Sequence, residues 1–282
     1  MKMLKIGLIG YPLKNSLSPE IFKIFSELTG FKISYSLHET REKDLAHTLK
    51  RLRSAGWTGV NVTLPLKEAI TGFLTASDQA VFSVKAANTL KFDKNGMAGI
   101  NTDTRALSDT FREKKFTVKG KTAVVWGAGG AAKAALWFLA GNKAGEISLH
   151  NRDTKKARAL AAEFSALFPK VVFKVRRFTE KSEKADIFIN ATPVGMYAYG
   201  RINAIFNRKA AYCDLAYLGD ETGFLRSARM ACAKTIIDGK EILVYQAARS
   251  LEFWTNKHIA EIVKFKRETM KRLTIQDSGS KI

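Results

Sequence analysis

The chain has 282 residues, 46% of them hydrophobic, which is enough for one large or two ordinary domains with full cores. Lys and Arg number 47 against 26 Asp and Glu, a net charge of +21. The basic residues are scattered, with no basic arm and no zinc-finger spacing, so nucleic acid is not an expected partner; the charge reads as a solvated surface that would steer an anionic substrate or a nucleotide phosphate.

Residues Lys5–Gly10 read as a strand. This start is too short for a signal-peptide core, and no run of about 18 uncharged apolar residues follows. No membrane partner and a cytoplasmic location are therefore expected. Ser18 to about Thr29 reads as a helix with Ile21, Phe22, Ile24, Phe25 and Leu28 on its apolar face. Before it, Ser16 and Ser18 would project two hydroxyls to the same face of an extended segment. Ser18 before Pro19 also has the pattern of an N-cap with proline at the first helical position.

Ile33–Leu37 reads as a strand, Lys43–Ala55 as an amphipathic helix closed by Gly56, and Gly59–Thr63 as a strand carrying Asn61 and Thr63 on one face. Pro65 breaks it before a helix near Leu66–Phe73. A lysine in the first turn of a helix opposes the macrodipole, so Lys67 sits where stability alone would not put it; a plain surface lysine is the bland alternative. Ala87–Phe92 and Met97–Asn101 read as a hairpin across Asp93–Gly96. Asp103 then precedes a helix over Arg105–Lys115, where it would either cap that helix or stand near Lys67. An ammonium and a carboxylate so paired can pass a proton to or from a substrate hydroxyl.

The most specific local signal lies mid-chain. Ala123–Trp126 is a continuous apolar run, as in a parallel strand buried on both faces, and it leads through Gly127, Ala128, Gly129 and Gly130 into a helix from Ala131 to Ala140. Gly127 permits the tight turn, Gly129 allows close approach of phosphates, and the helix N-terminus offers free N–H groups to them. A second strand, Glu146–His150, ends at Asn151, Arg152 and Asp153, roughly 20 residues past the glycines, where a dinucleotide fold meets the adenosine ribose. Val171–Val175, Ile187–Ala191 and Ala211–Leu215 continue the alternation of strand and helix, helices begin near Thr222 and Glu241, and the tail beyond Leu273 reads as frayed. Cys213 and Cys232 cannot form a disulfide framework or a zinc cage and read as reduced core residues, and no metal site is expected.

This alternation predicts an α/β protein of two domains. One is an N-terminal, mostly parallel α/β sheet domain; the other is a Rossmann dinucleotide-binding domain. Ligands are expected at the carboxyl ends of the strands, in the cleft between the domains.

Nine ordered strings resemble the shikimate dehydrogenase family: Ser16-x-Ser18-Pro19, Asn61-Val-Thr-Leu-Pro-Leu-Lys67, Ala87-Asn88-Thr89, Asn101-Thr-Asp103, Gly127-Ala-Gly-Gly-Ala131, Asn151-Arg152, Asn190-Ala-Thr192-Pro-Val-Gly195-Met196, Asp214-Leu-Ala-Tyr217, and Asp238-Gly239 with Leu243-Val-x-Gln246-Ala247. They span about residues 5 to 255. The resemblance implies that the central segment is the cofactor domain and that the C-terminal helices return to the first domain, so the expected boundaries are 1–103 with 240–282, and 104–239. The resemblance implies NADP-dependent, reversible reduction of 3-dehydroshikimate to shikimate, with Lys67 and Asp103 as the catalytic pair. It implies that Ser16 and Ser18 hold the substrate carboxylate, and that Asn61, Thr63, Asn88, Tyr217 and Gln246 bind its ring hydroxyls or orient Lys67. It also implies a cofactor site of Gly127, Ala128, Gly129, Gly130, Ala131, Asn151, Arg152, Asp153, Thr192, Met196, Leu215 and Gly239.

Three positions depart from the family pattern. Asp153 stands where NADP users carry Thr or Ser; facing a 2′-phosphate it would repel, facing a ribose hydroxyl it would favour NAD, and capping the helix from Thr154 while pointing away it would do neither. Glu241 replaces a glycine and Ile242 a methionine. An NAD-dependent quinate/shikimate dehydrogenase is the near alternative, and a nucleotide-sensing regulator on the same scaffold the more distant one. The oligomeric state stays open, a homodimer being compatible with it.

Overall fold

The structure is a computed structural model that describes residues 3–196, 198, 200–217 and 221–279. The chain divides into two compact units, Met1–Thr102 with Val244–Ile282, and Asp103–Leu243.

The first unit is built on a six-stranded sheet of β1 (Leu4–Gly10), β2 (Ile33–Glu39), β3 (Gly59–Val62), β4 (Ala76–Ser77), β5 (Thr89–Asp93) and β6 (Gly96–Ile100), in the order β2-β1-β3-β5-β6-β4. β1 pairs in parallel with β2 and β3, whereas β5 runs antiparallel to both β3 and β6. The Asp93–Gly96 turn makes that reversal. Helix α1 (Ser18–Thr29) buries Ile21, Phe22, Ile24 and Phe25, as its periodicity predicts. Helix α2 (Leu45–Ser54) buries Leu45, Leu49 and Leu52, preceded by a 3₁₀ turn at Glu42–Asp44.

Several expectations need correction here. The segment after Pro65 is a turn leading into a 3₁₀ helix over Ala69–Phe73, not an α-helix from Leu66, so the macrodipole argument for Lys67 does not apply. Leu17, not Ser18, occupies the N-cap of α1; Ser18 is already helical, with Pro19 second. Residues Lys14 and Asn15 form a turn, so Ser16 and Ser18 do not lie on an extended strand. A short helix α3 (Gln79–Val84), capped by the Asp78 carboxylate on the Val81 amide at 2.9 Å, was not legible in the pattern.

In the second unit, helix α4 (Thr102–Glu113) contains Asp103 in its first turn instead of following it. The sheet comprises β7 (Thr122–Trp126), β8 (Glu146–Asn151), β9 (Val172–Arg177), β10 (Ile187–Asn190), β11 (Ala211–Asp214) and β12 (Thr235–Ile237). All its pairings are parallel and the order is β12-β11-β10-β7-β8-β9. This is the doubly wound dinucleotide-binding order, which reverses between β7 and β10. Val124, Val125, Trp126, Ile187, Phe188, Ile189, Tyr212 and Cys213 are fully buried, which explains strands that read as continuous apolar runs rather than alternating ones. Helices α5 (Gly130–Gly141), α6 (Thr154–Leu167) and α7 (Gly223–Met230) connect the strands. Cys232 is exposed just beyond α7 and is not a core residue.

Helix α8 (Gly239–Thr255) starts in the second unit and ends in the first, where Trp254 Nε1 donates to the Leu90 carbonyl at 2.7 Å. Helix α9 (Ile262–Gly279) continues past Leu273, where a frayed tail is expected from the sequence. No helix among the described residues is long and apolar enough to cross a membrane.

Candidate active site

In the first unit the polar residues at the ends of β3 and β5 form one buried network. Asn61, on the fully buried strand β3, donates through Nδ2 to Thr89 Oγ1 at 3.0 Å and Ser250 Oγ at 2.9 Å, while its Oδ1 accepts from the Tyr35 hydroxyl at 3.1 Å. Asn88 Oδ1 accepts from the Thr102 amide at 2.8 Å and the Thr102 hydroxyl at 3.0 Å; its Nδ2 donates to Gln246 Oε1 at 3.3 Å. Ser250, one turn beyond Gln246 on α8, returns a bond to the Gln246 carbonyl at 2.8 Å. Buried polar groups must be paired, and this set pairs its own members across five segments of the first unit. Asn61, Asn88 and Gln246 thus share one hydrogen-bond network. Thr89, Thr102 and Ser250 complete the network; the signal for Ser250 is its spacing of four from Gln246 on one helix face.

Around it, the Thr63 amide donates to the Ile9 carbonyl at 2.9 Å, and the Lys67 carbonyl accepts from Ala87 at 2.8 Å, which fixes the backbone that carries the lysine. Ser18 is buried, and its amide donates to Ser16 Oγ at 3.2 Å. Lys67 belongs to the first unit and Asp103 to the second.

In the second unit the glycine turn leaves β7 where the strand order reverses. Gly127 has φ of +120°, and a Cβ there would lie 2.8 Å from the Ala191 carbonyl oxygen, so only glycine fits. Its amide donates to the His150 carbonyl at 2.9 Å, which ties the turn to β8. Ala128 is buried, Gly129 is the N-cap of α5, and Gly130 and Ala131 form the first turn of that helix. Nothing lies within 4 Å of where a Gly129 Cβ would stand. A bare helix N-terminus beyond two glycines, at the reversal of a parallel sheet, fits a pyrophosphate.

At the end of β8, Asn151 Nδ2 donates to the Asp153 carbonyl at 2.8 Å, and the Asp153 carboxylate accepts from the Lys156 amide at 3.0 Å as the N-cap of α6. Arg152 between them is exposed. On the other side of the reversal, Thr192 and Met196 lie in the turn after β10, and Leu215 follows β11, its amide donating to the Asn190 carbonyl at 2.9 Å. Gly239 opens α8; a Cβ there would stand 2.5 Å from the Ala216 carbonyl oxygen. Tyr217 is half-buried in the loop after β11. Glu241 is absorbed into an ion pair, accepting from Lys114 Nζ at 3.0 Å, with both side chains largely buried. Asn190, Asp214 and Thr222, none of them among the expected site residues, hydrogen-bond to one another at the ends of β10 and β11. Burial raises the Asp214 carboxyl to about 6, against bonds from Thr222, Ala216 and Asn190 that lower it. Burial also raises Asp238. Among the described residues no group of His, Cys, Asp and Glu could hold a metal ion.

Fold and site together define a two-unit α/β protein with a dinucleotide-binding second unit. A family model of the shikimate dehydrogenase substrate binding domain matches residues 8–90, and one of shikimate/quinate 5-dehydrogenase matches residues 110–214. A shikimate dehydrogenase (NADP(+)) from Methanocella arvoryzae is 34% identical over 252 residues, covering 88% of this chain and 92% of that protein. A crystal structure of a shikimate dehydrogenase in complex with NADP+ superposes with a TM-score of 0.84 at 30% identity, covering 96% of each chain. A shikimate 5-dehydrogenase from Listeria monocytogenes, solved with shikimate and NAD, gives 0.83 at 25% identity, covering 95% of this chain and 96% of that one. The chain belongs to the shikimate dehydrogenase family.

Proposed function

We propose that this chain is an NADP-dependent oxidoreductase that interconverts 3-dehydroshikimate and shikimate. One observation carries the reading above the rest: in a chain of this family, the Gly127–Gly130 turn opens α5 at the strand-order reversal of a fully parallel sheet. Gly127, Ala128, Gly129, Gly130 and Ala131 would take the pyrophosphate, Asn151, Arg152 and Asp153 the adenosine end, and Thr192, Met196, Leu215 and Gly239 the nicotinamide end. Bound NADP(H) supplies or accepts the hydride.

The protein's own residues do the rest. Ser16 and Ser18 bind the substrate carboxylate by hydroxyl donation. Thr63, Asn88, Tyr217 and Gln246 bind the ring hydroxyls or orient Lys67, with Asn61 holding Asn88 and Gln246 in register through Thr89 and Ser250. Lys67 takes the proton of the reacting hydroxyl during oxidation and returns it during reduction, and Asp103 is the second catalytic residue of the family pattern. NAD is the second reading for the cofactor, since a carboxylate, Asp153, stands where NADP users carry Thr or Ser; its role as the N-cap of α6 leaves the choice to the kinetic test.

The test is initial rates followed by nicotinamide absorbance, with shikimate or quinate and with NADP or NAD. Turnover of shikimate with NADP is the expected result. No turnover of either acid with either cofactor would defeat the proposal, and a higher kcat/KM with quinate and NAD would replace it with the near alternative.

A further inference from the structure

The least explained side chain in the second unit is Asp214. It ends β11 and is fully buried. Its carboxylate accepts three hydrogen bonds from three different segments: Asn190 Nδ2 at the end of β10, 2.8 Å; the Ala216 amide in the loop after β11, 3.0 Å; and the Thr222 hydroxyl at the N-cap of α7, 2.6 Å. The bonds continue outward. Asn190 Oδ1 accepts from the Thr192 hydroxyl at 2.6 Å and the Thr192 amide at 3.0 Å, and Asn190 Nδ2 also donates to the Val194 carbonyl at 3.1 Å. Thr222 Oγ1 accepts from the Leu225 amide at 3.3 Å.

Each link has only one sense. Asn190 cannot flip its amide, because the Thr192 amide is an obligatory donor to its oxygen and the Val194 carbonyl an obligatory acceptor for its nitrogen. Asp214 therefore receives donors only, which a carboxylate satisfies and a neutral amide does not. Burial raises its carboxyl to about 6, and the nearby Asp238 adds to the rise. A buried carboxylate is a costly way merely to fasten loops.

The fastened segments share one location. They are the exits of β10 and β11, on the far side of the strand-order reversal from β8 and the Asn151–Asp153 segment. A doubly wound sheet binds one mononucleotide on each half. The half that holds Asp214 is the one opposite the adenosine end. We infer that Asp214, through Asn190 and Thr222, is a positioning residue for the nicotinamide half of the cofactor. It sets the turn that carries Thr192 and Met196 and the start of α7, without itself touching the cofactor. The inference rests on the proposed NADP reading. Small displacements of a reacting group cost large rate factors, so a relay of this kind would act on hydride transfer more than on overall affinity for the adenosine end.

The test separates the two halves of the cofactor. Dissociation constants are measured for NADPH and for 2′-phospho-ADP-ribose, which lacks the nicotinamide, on the wild type and on Asp214→Asn, Thr222→Val and Thr222→Ser. Asp214→Asn and Thr222→Val should weaken NADPH about tenfold and leave the fragment's affinity as in the wild type. Thr222→Ser keeps the hydroxyl and should restore NADPH affinity. Should Asp214→Asn fail to fold, the Thr222 pair carries the same comparison. Equal weakening of both ligands would reduce the relay to general structural support, and unchanged NADPH affinity would remove it; either overturns the inference. A wild-type protein that binds neither ligand would instead overturn the NADP reading, and this inference with it.

Discussion

The Asp153 carboxylate accepts the Lys156 amide hydrogen at 3.0 Å, so the residue that breaks the family pattern at the adenosine end serves as the N-cap of α6. A cap needs an oxygen but not a charge, and Thr caps nearly as well as Asp. Replacing Asp153 by Thr should therefore keep α6 while removing a carboxylate beside Arg152. Two unit charges in contact in a watery site interact by about 1 kcal/mol, equivalent to about fivefold in affinity. Asp153→Thr is expected to lower the KM for NADPH by about that factor and to leave the KM for NADH unchanged or raised. Steady-state kinetics with both cofactors measures this. An unchanged ratio of the two would mean that the carboxylate faces away from the nucleotide.

Lys67 sits in a turn whose carbonyl is already tied to Ala87 at 2.8 Å, so its side chain can be removed without loosening the backbone. Lys67→Ala should lower kcat by about 10² to 10⁴ with little change in KM for shikimate, the signature of a lost proton acceptor. Asp103→Asn should lower kcat in the same direction. If kcat of Lys67→Ala is unaltered, another group carries the proton.

The two glycines that bracket the nucleotide half make opposite predictions. A Cβ on Gly239 would stand 2.5 Å from the Ala216 carbonyl oxygen and 2.8 Å from that of Asp214, both backbone atoms that cannot swing aside. Gly239→Ala should lose about 1 to 3 kcal/mol of stability, the usual cost of overpacking. Gly129 has no heavy atom within 4 Å of its would-be Cβ, and its φ of −101° suits any residue. Gly129→Ala should leave stability intact and weaken NADPH, because the methyl group would occupy the phosphate approach. Urea unfolding with NADPH titration of both variants decides it; a destabilised Gly129→Ala with unchanged affinity would refute the assignment of the turn.

What the sequence made legible divides along physical lines. Strands such as Ala123–Trp126 and Ile187–Asn190 were readable because a parallel sheet buried on both faces leaves an unbroken apolar run. The glycine turn was readable because Gly127 has no substitute at φ +120°. The 3₁₀ segment Ala69–Phe73 and the short α3 were not, because a few residues carry no helical period long enough to detect. The cap at Ser18 was misassigned by one residue: the pattern Ser-Pro fits both an N-cap and a first helical turn, and only the backbone dihedrals distinguish them. The Asn61 to Ser250 contact, 189 residues apart, and the three donors on Asp214 are tertiary facts that no local pattern encodes.

Asp214 also gives the fold a measurable pH dependence. Its carboxyl is raised from the ordinary 3.8 to about 6, with burial as the largest cause. The folded state therefore holds this proton more tightly than the unfolded chain does. The stabilisation that results is fully present below the unfolded value, is lost progressively between about pH 4 and pH 6.5, and amounts to about 3 kcal/mol. An asparagine at this position does not titrate. The difference in unfolding free energy, wild type minus Asp214→Asn, should thus fall by about that amount as pH rises from about 3.5 to 7.5, most of it below pH 6.5. Urea denaturation of both proteins across this range provides the measurement, and taking the difference removes the contributions of Glu183 and Asp186, whose carboxyls lie low, and of His150, which burial lowers. Parallel curves for the two proteins would mean that Asp214 ionises in the folded state as easily as in water, and the three bonds it receives would then have to offset its burial completely.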